Sequence, residues 1–294
     1  MWTPEFEAFV APARQHPQIW RTFLGTVLAG VVYVLVFLLI LAGVLLSVGP
    51  GGVEFWLNTL GETPTSLLLV LATFLGMGLG TFAATKTLHK RPILTLFGPR
   101  HWRGFGAAAV VCIGVFTVSV LTIPSPFDIT RNTPNDIFLI FLVPALLGIL
   151  VQTGAEEVLF RGYLQQQFAA RFRNPIMWMV VPSVMFGLLH WDPTSAGDNA
   201  IWIVAATTVF GLVAADLTRV TGSIGAAWGF HFVNNCIAML VVAIQGPLSG
   251  LSYWKLGASA SEITPMLIAQ DMMITVIIWL LLRLWLARDR AVPA

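Results

Sequence analysis

Residues 154–163 read Gly154-Ala155-Glu156-Glu157-Val158-Leu159-Phe160-Arg161-Gly162-Tyr163. Two adjacent carboxylates and an arginine stand here at the end of a stretch, Ile137 to Val151, that carries no charge at all. If the stretch is helical, Glu157 and Arg161 lie at i and i+4 on one face, a spacing at which a carboxylate and a guanidinium meet. Glu156 is rotated about 100° away from that pair. It is therefore left for other work, and a carboxylate without a local partner in an apolar medium is a candidate for acid–base chemistry.

The surrounding chain supplies that medium. Of 294 residues, 57% are hydrophobic and 10% charged, against roughly a quarter charged in a soluble globular domain. The mean hydropathy is +0.82. The chain reads as a membrane protein of the all-α class, a polytopic bundle. A formal net charge of +2 without a cluster of lysine and arginine argues against a nucleic-acid partner. Cys112 and Cys236 stand far apart inside apolar runs, which disfavours a disulfide framework or a thiolate metal site. The first apolar run is too long for the core of a signal peptide and is expected to be retained as a span.

Apolar runs near the length of about 20 residues that a crossing helix needs are expected at about Thr22–Val48, Ser66–Thr87, Gly104–Ile123, Asp136 into the Glu156 stretch, Pro175–His190, Ala200–Leu217, Ile224–Ile244 and Met266–Leu286, which makes eight spans. With the N-terminus inside, 14 of the 16 lysines and arginines fall on the cytoplasmic side, leaving Arg131 and Lys255 outside. That asymmetry predicts cytoplasmic termini. Four segments follow: an interfacial or disordered N-terminus (1–21), variable transmembrane helices and loops (22–135), a core (136–245), and an outer loop, final helix and basic tail (246–294). Glu156 is expected near the cytoplasmic end of its span. Asp216 and Arg219 read as a local pair or a loop cap, and Asp271 as an outer-edge residue.

Inside the later spans stand His190, in Phe186-Gly187-Leu188-Leu189-His190, and His231 with Asn235, in His231-Phe232-Val233-Asn234-Asn235. His231 and Asn235 are i and i+4 and share a helix face. Ionisable groups within a membrane are costly to expose to lipid and usually face the interior of a bundle. A carboxylate and an imidazole can hold and deprotonate a water, while a second imidazole and a carboxamide can donate to an oxyanion.

Glu156-Glu157-x-x-x-Arg161, Phe186-x-x-x-His190 and His231-x-x-x-Asn235, in this order on successive apolar helices, resemble the three-motif signature of the CPBP family, the type II CAAX prenyl endopeptidase and bacteriocin-processing group also called Abi. The match covers about Phe138 to Ala243. The resemblance implies a glutamate-dependent intramembrane endopeptidase with a cavity open to the cytoplasm, in a bacterial inner membrane, acting on a membrane-associated peptide or protein. In that scheme Glu156 is the base, His190 helps to hold the water, and His231 with Asn235 lines the oxyanion site. Glu157 and Arg161 support them. Two imidazoles and a carboxylate also suit zinc, but there is no His-Glu-x-x-His helix, and the resemblance favours a site without metal or other cofactor. The rival functions are an ion- or proton-coupled transporter, for which the chain shows none of the expected internal symmetry, and a non-catalytic scaffold.

Overall fold

The computed structural model describes residues 2–291; Met1 and the last three residues of the basic tail lie outside the described residues. The elements run α1 (Pro4–Val10), α2 (Ile19–Asn58), α3 (Pro64–Thr87), α4 (His101–Thr122), β1 (Ile129–Arg131), α5 (Asn135–Glu157), α6 (Gln166–Arg171), α7 (Val181–Leu188), α8 (Pro193–Ala196), α9 (Ala200–Thr221), α10 (Gly225–Cys236), β2 (Val242–Gln245), β3 (Trp254–Ser259) and α11 (Pro265–Ala291). Three π-helical segments adjoin the motif helices: Val158–Gln165 joins α5 to α6, Ile176–Val180 leads into α7, and Ile237–Val241 follows α10. Wide turns of this kind gather at functional sites.

The bundle has two distinct ends. At the terminal end, the Thr3 hydroxyl donates to the Arg219 carbonyl and the Ser223 hydroxyl to that of Phe97. At the sheet end, β3 lies between β1, antiparallel, and β2, parallel, and the Asn132 amide donates to the carbonyls of Ser249 and Ser252. Among the described residues six helical stretches are long and apolar enough to cross a membrane, whereas Ile176–Leu188 is shorter. The expected count of eight spans is thus approximate, the seventh expected run ending as a helix at Val241 because β2 takes over from there. The all-α expectation holds for the bundle, and the small sheet that caps one end is the addition.

Two features go beyond the sequence reading. The N-terminal segment packs on the bundle: Phe6, Phe9 and Val10 are buried, and the rings of Trp2 and Phe6 lie 6.0 and 4.8 Å from that of Trp178. Aromatic pairing of this kind plugs the terminal end with apolar area. The second concerns depth. The fourth span does not stop at the Glu pair but runs on as a helix to Arg171, which leaves Glu156 15 residues, about 22 Å, inside that end. In α2, by contrast, continuity fails at Gly49, whose φ of 74° breaks the helix just before Pro50.

Close backbone approaches set the site's walls. Gly187 of α7 faces Thr208 and the Val204 carbonyl of α9, and Gly211 of α9 faces Ser183 of α7; a Cβ at Gly187 would meet the Thr208 hydroxyl at 2.1 Å. The tight α7–α9 contact places His190, one turn past Gly187, against the core.

Candidate active site

The helical spacing does what it promised. Arg161 Nη1 donates to Glu157 Oε1 at 2.9 Å, with both side chains sealed from solvent. A guanidinium so placed needs further support, and its plane lies 4.7 Å from the Phe186 ring. Glu157 Oε1 also faces His231 Nδ1 at 2.8 Å. The other ring nitrogen, Nε2, lies 3.3 Å from Glu156 Oε2. One imidazole therefore bridges the two adjacent glutamates, with the rings of Phe186 and Phe210 edge-on to it at 5.8 and 5.0 Å.

A residue without a part in the sequence reading completes the network. Gln152, one turn before Glu156, donates from Nε2 to Glu156 Oε2 at 2.8 Å and accepts from Asn235 Nδ2 at 2.9 Å. Its i, i+4 spacing to Glu156 was the available signal. Asn234 donates to Asn235 Oδ1 at 3.3 Å and so orients the carboxamide. Trp228, whose indole donates to Thr153 and to the Leu150 carbonyl, packs on the opposite flank of α5.

His190 stands apart from this network. Its Nδ1 lies 3.0 Å from the Phe186 carbonyl, and since a carbonyl only accepts, Nδ1 carries the hydrogen and Nε2 keeps its lone pair when the ring is neutral. His190 and Glu156 meet across a cavity of about 470 Å³, walled by Thr26, Ala29 and Tyr33 of α2, Phe74 and Met77 of α3, and Leu159, Met185 and Leu189. Among the described residues Glu156 Oε1 has no partner, and Glu157 does not line this space. A second cavity of about 420 Å³ runs from His190 to the sheet end past Asp192, Ser195, Gln245 and Ser259. His190, just past the sheet-side end of the short α7, lines both cavities.

Charge balance decides what the cluster can do. Two carboxylates face one guanidinium, which leaves one negative charge in an apolar medium, and one further proton held between Glu156 and His231 makes the group neutral. A zinc ion fits poorly, since both nitrogens of His231 are turned onto carboxylates and, among the described residues, no three His, Cys, Asp or Glu side chains converge to hold a metal.

A family model described as Type II CAAX prenyl endopeptidase Rce1-like matches residues 136–237. This stretch is similar to that family. It contains all seven of the motif residues, and Gln152 as well. The Uncharacterized protein YyaK of Bacillus subtilis (strain 168) is 27% identical over 254 residues, which cover 83% of this chain and 84% of that protein. No solved structure matches. The chain is therefore an integral membrane protein, part of which matches the model of an endopeptidase family. The α2 and α3 wall of the large cavity lies outside the Rce1-like segment.

Proposed function

We propose that the protein is an intramembrane endopeptidase that hydrolyses a peptide bond of a membrane-associated substrate, with Glu156 as the base. The observation that carries this reading is the unequal placing of two neighbouring glutamates: Glu156 keeps one oxygen toward the cavity that His190 also lines, while Glu157 is locked between Arg161 and His231. A water between Glu156 Oε1 and His190 Nε2 can donate one hydrogen to each and so presents its lone pair to a carbonyl carbon. As the oxygen adds to carbon, Glu156 takes the proton; as the C–N bond breaks, Glu156 returns it to the leaving nitrogen. Asn235 has one Nδ2 hydrogen engaged by Gln152 and a second left for the oxyanion. His231, expected beside Asn235 as an oxyanion donor, is better suited to hold the proton that balances Glu156. Prenylated peptides, the substrate in the matched family's description, fit the apolar wall of the cavity. We further place both termini in the cytoplasm of a bacterial cell on the 14-to-2 division of positive residues, although Arg161, being paired in the interior, no longer votes.

The test is cleavage of a panel of membrane-tethered peptides, prenylated and not, by purified protein, read by mass spectrometry of the products. Wild type should cleave at least one and Glu156→Gln none. A folded wild-type protein that cleaves no member, or an active Glu156→Gln, removes the assignment.

A further inference from the structure

On the far side of the two histidines from α2 lies a smaller chamber of about 90 Å³ that the mechanism above does not use. His190, His231, Asn234 and Asn235 line one side of it, Thr207 of α9 another, and Asp271 and Thr275 of α11 a third. Asp271 is the carboxylate that the sequence places at the outer edge. It stands six residues into α11, about 9 Å from its start, with its side chain exposed to this space. Among the described residues it has no hydrogen-bond or ion-pair partner. A carboxylate within a membrane helix that is neither paired nor turned to a protein donor needs water. At about 30 Å³ per molecule the chamber holds about three waters, and its hydroxyl, amide and imidazole groups offer each of them the two to four partners it requires. The titratable groups that line the chamber with Asp271 are His190, just past α7, and His231 of α10; Thr207 is the polar group from α9, and Thr275 the polar neighbour on α11 itself.

Building on the endopeptidase reading, we infer that this chamber is the water store of the site and that Asp271 is its proton acceptor, a positioning residue that acts through water on His190. The stoichiometry asks for such a group. Addition of water and scission of the C–N bond yield an amine and a carboxylic acid, the water's first proton having passed by way of Glu156 to nitrogen. The acid's remaining proton must leave before a carboxylate can depart from an already acidic cluster. His190 Nε2 accepts it, chamber water carries it to Asp271, and Asp271 releases it toward the sheet end, where α11 begins.

Two experiments test this on the full-length protein in lipid vesicles. The first needs no activity. With Cys112 and Cys236 replaced by alanine, Thr207→Cys should react with a small water-soluble thiol reagent, and the infrared carboxyl band that Asp271→Asn removes should titrate with pH and move when His190 is changed to Gln. The second is the pH profile of peptide turnover. Asp271→Asn should lower kcat about tenfold, short of the ~10² to 10⁴ lost with a directly acting acid or base, leave KM alone and flatten the acidic limb, with Asp271→Glu restoring it. An unreactive Thr207→Cys together with an Asp271 band blind to His190→Gln overturns the chamber, as does an unchanged profile in Asp271→Asn. If the labelling and infrared results hold while wild type cleaves nothing, the chamber stands and the endopeptidase reading fails.

Discussion

The protein buries two clusters of opposite charges, and they differ in how completely their acids are satisfied. Near the terminal end, Asp216 of α9 accepts from Arg219 Nε and Nη2 on one oxygen, at 3.0 and 2.6 Å, and from Trp279 and Arg283 of α11 on the other, at 2.8 and 2.7 Å. Four donors meet one carboxylate. The expected local pair is present and is extended by α11 into a tie between helices. In the Glu156–Glu157 cluster the same kinds of group leave Glu157 Oε2 without a partner and Glu156 Oε1 facing open space. A saturated acid holds helices together, whereas an unsaturated one beside a cavity keeps an oxygen for a further partner.

The sharpest way to break this comparison is Glu156→Gln, which keeps the shape and its bond to Gln152 but removes the base. Peptide turnover should fall by about 10² to 10⁴ while the unfolding temperature in detergent stays near that of wild type. Should Glu156→Gln remain active while Glu157→Gln is folded and inactive, the roles of the two neighbours are exchanged. Next in size is Glu157→Gln itself. Leaving Arg161 buried without its counter-ion should cost about 3 kcal/mol or more of stability, seen as a lower midpoint of thermal unfolding. Asp216→Asn should cost less, because Arg283 is partly exposed and can turn to water, and the surviving fold should cleave peptide as before. Equal losses in the two variants would mean that burial of the cation does not set the penalty.

Gln152→Leu probes the link between the glutamate and Asn235. Losing one hydrogen bond to a charged group, worth about 1.5–3 kcal/mol, should slow turnover about tenfold or more and act mainly on kcat. An unaffected rate would remove Gln152 from the site. An effect that appears only on acidification is expected at His89, a buried polar group at the terminal end. Its Nδ1 faces the His16 carbonyl at 3.0 Å and its Nε2 the Tyr163 hydroxyl at 2.8 Å. Burial, with Arg91 and Arg21 nearby, pushes this imidazole down from 6.5 to about 4. The unfolded chain therefore takes up a proton here near pH 6.5 and the folded one only near 4, so stability should fall as pH drops through that window and be constant above it. His89→Gln should flatten the dependence of unfolding temperature on pH between 6.5 and 4. A slope no different from wild type would show that His89 is already protonated in the fold.

Much of the fold was legible because its signals are local. Apolar run length marks helices that cross a membrane, and the i, i+4 rule paired Glu157 with Arg161 and freed Glu156 before any contact was known. Gln152 obeys the same rule but hid among apolar neighbours, since an amide carries no charge to draw attention. The small sheet was not legible because β2 follows an apolar helix without a break and finds its partner only in β3. Asp271 looked peripheral because its distance from the helix start says nothing about what α7 and α10 bring beside it.

Sequence alone thus determined that the chain enters a membrane as helices, which of its charges pair along one helix, and that three separated motifs together resemble one family's signature. Those properties depend on solvent transfer and on the fixed pitch of a helix, both of which act over a few residues. Tertiary structure decided that His231 joins both glutamates, that Glu156 and His190 share a cavity, and that His190 also lines a second one reaching toward the sheet end. These rest on the packing of α7 against α9 and of α10 against α5, where close approach at Gly187 and Gly211 sets depth and direction, and no local pattern encodes the distance between helices.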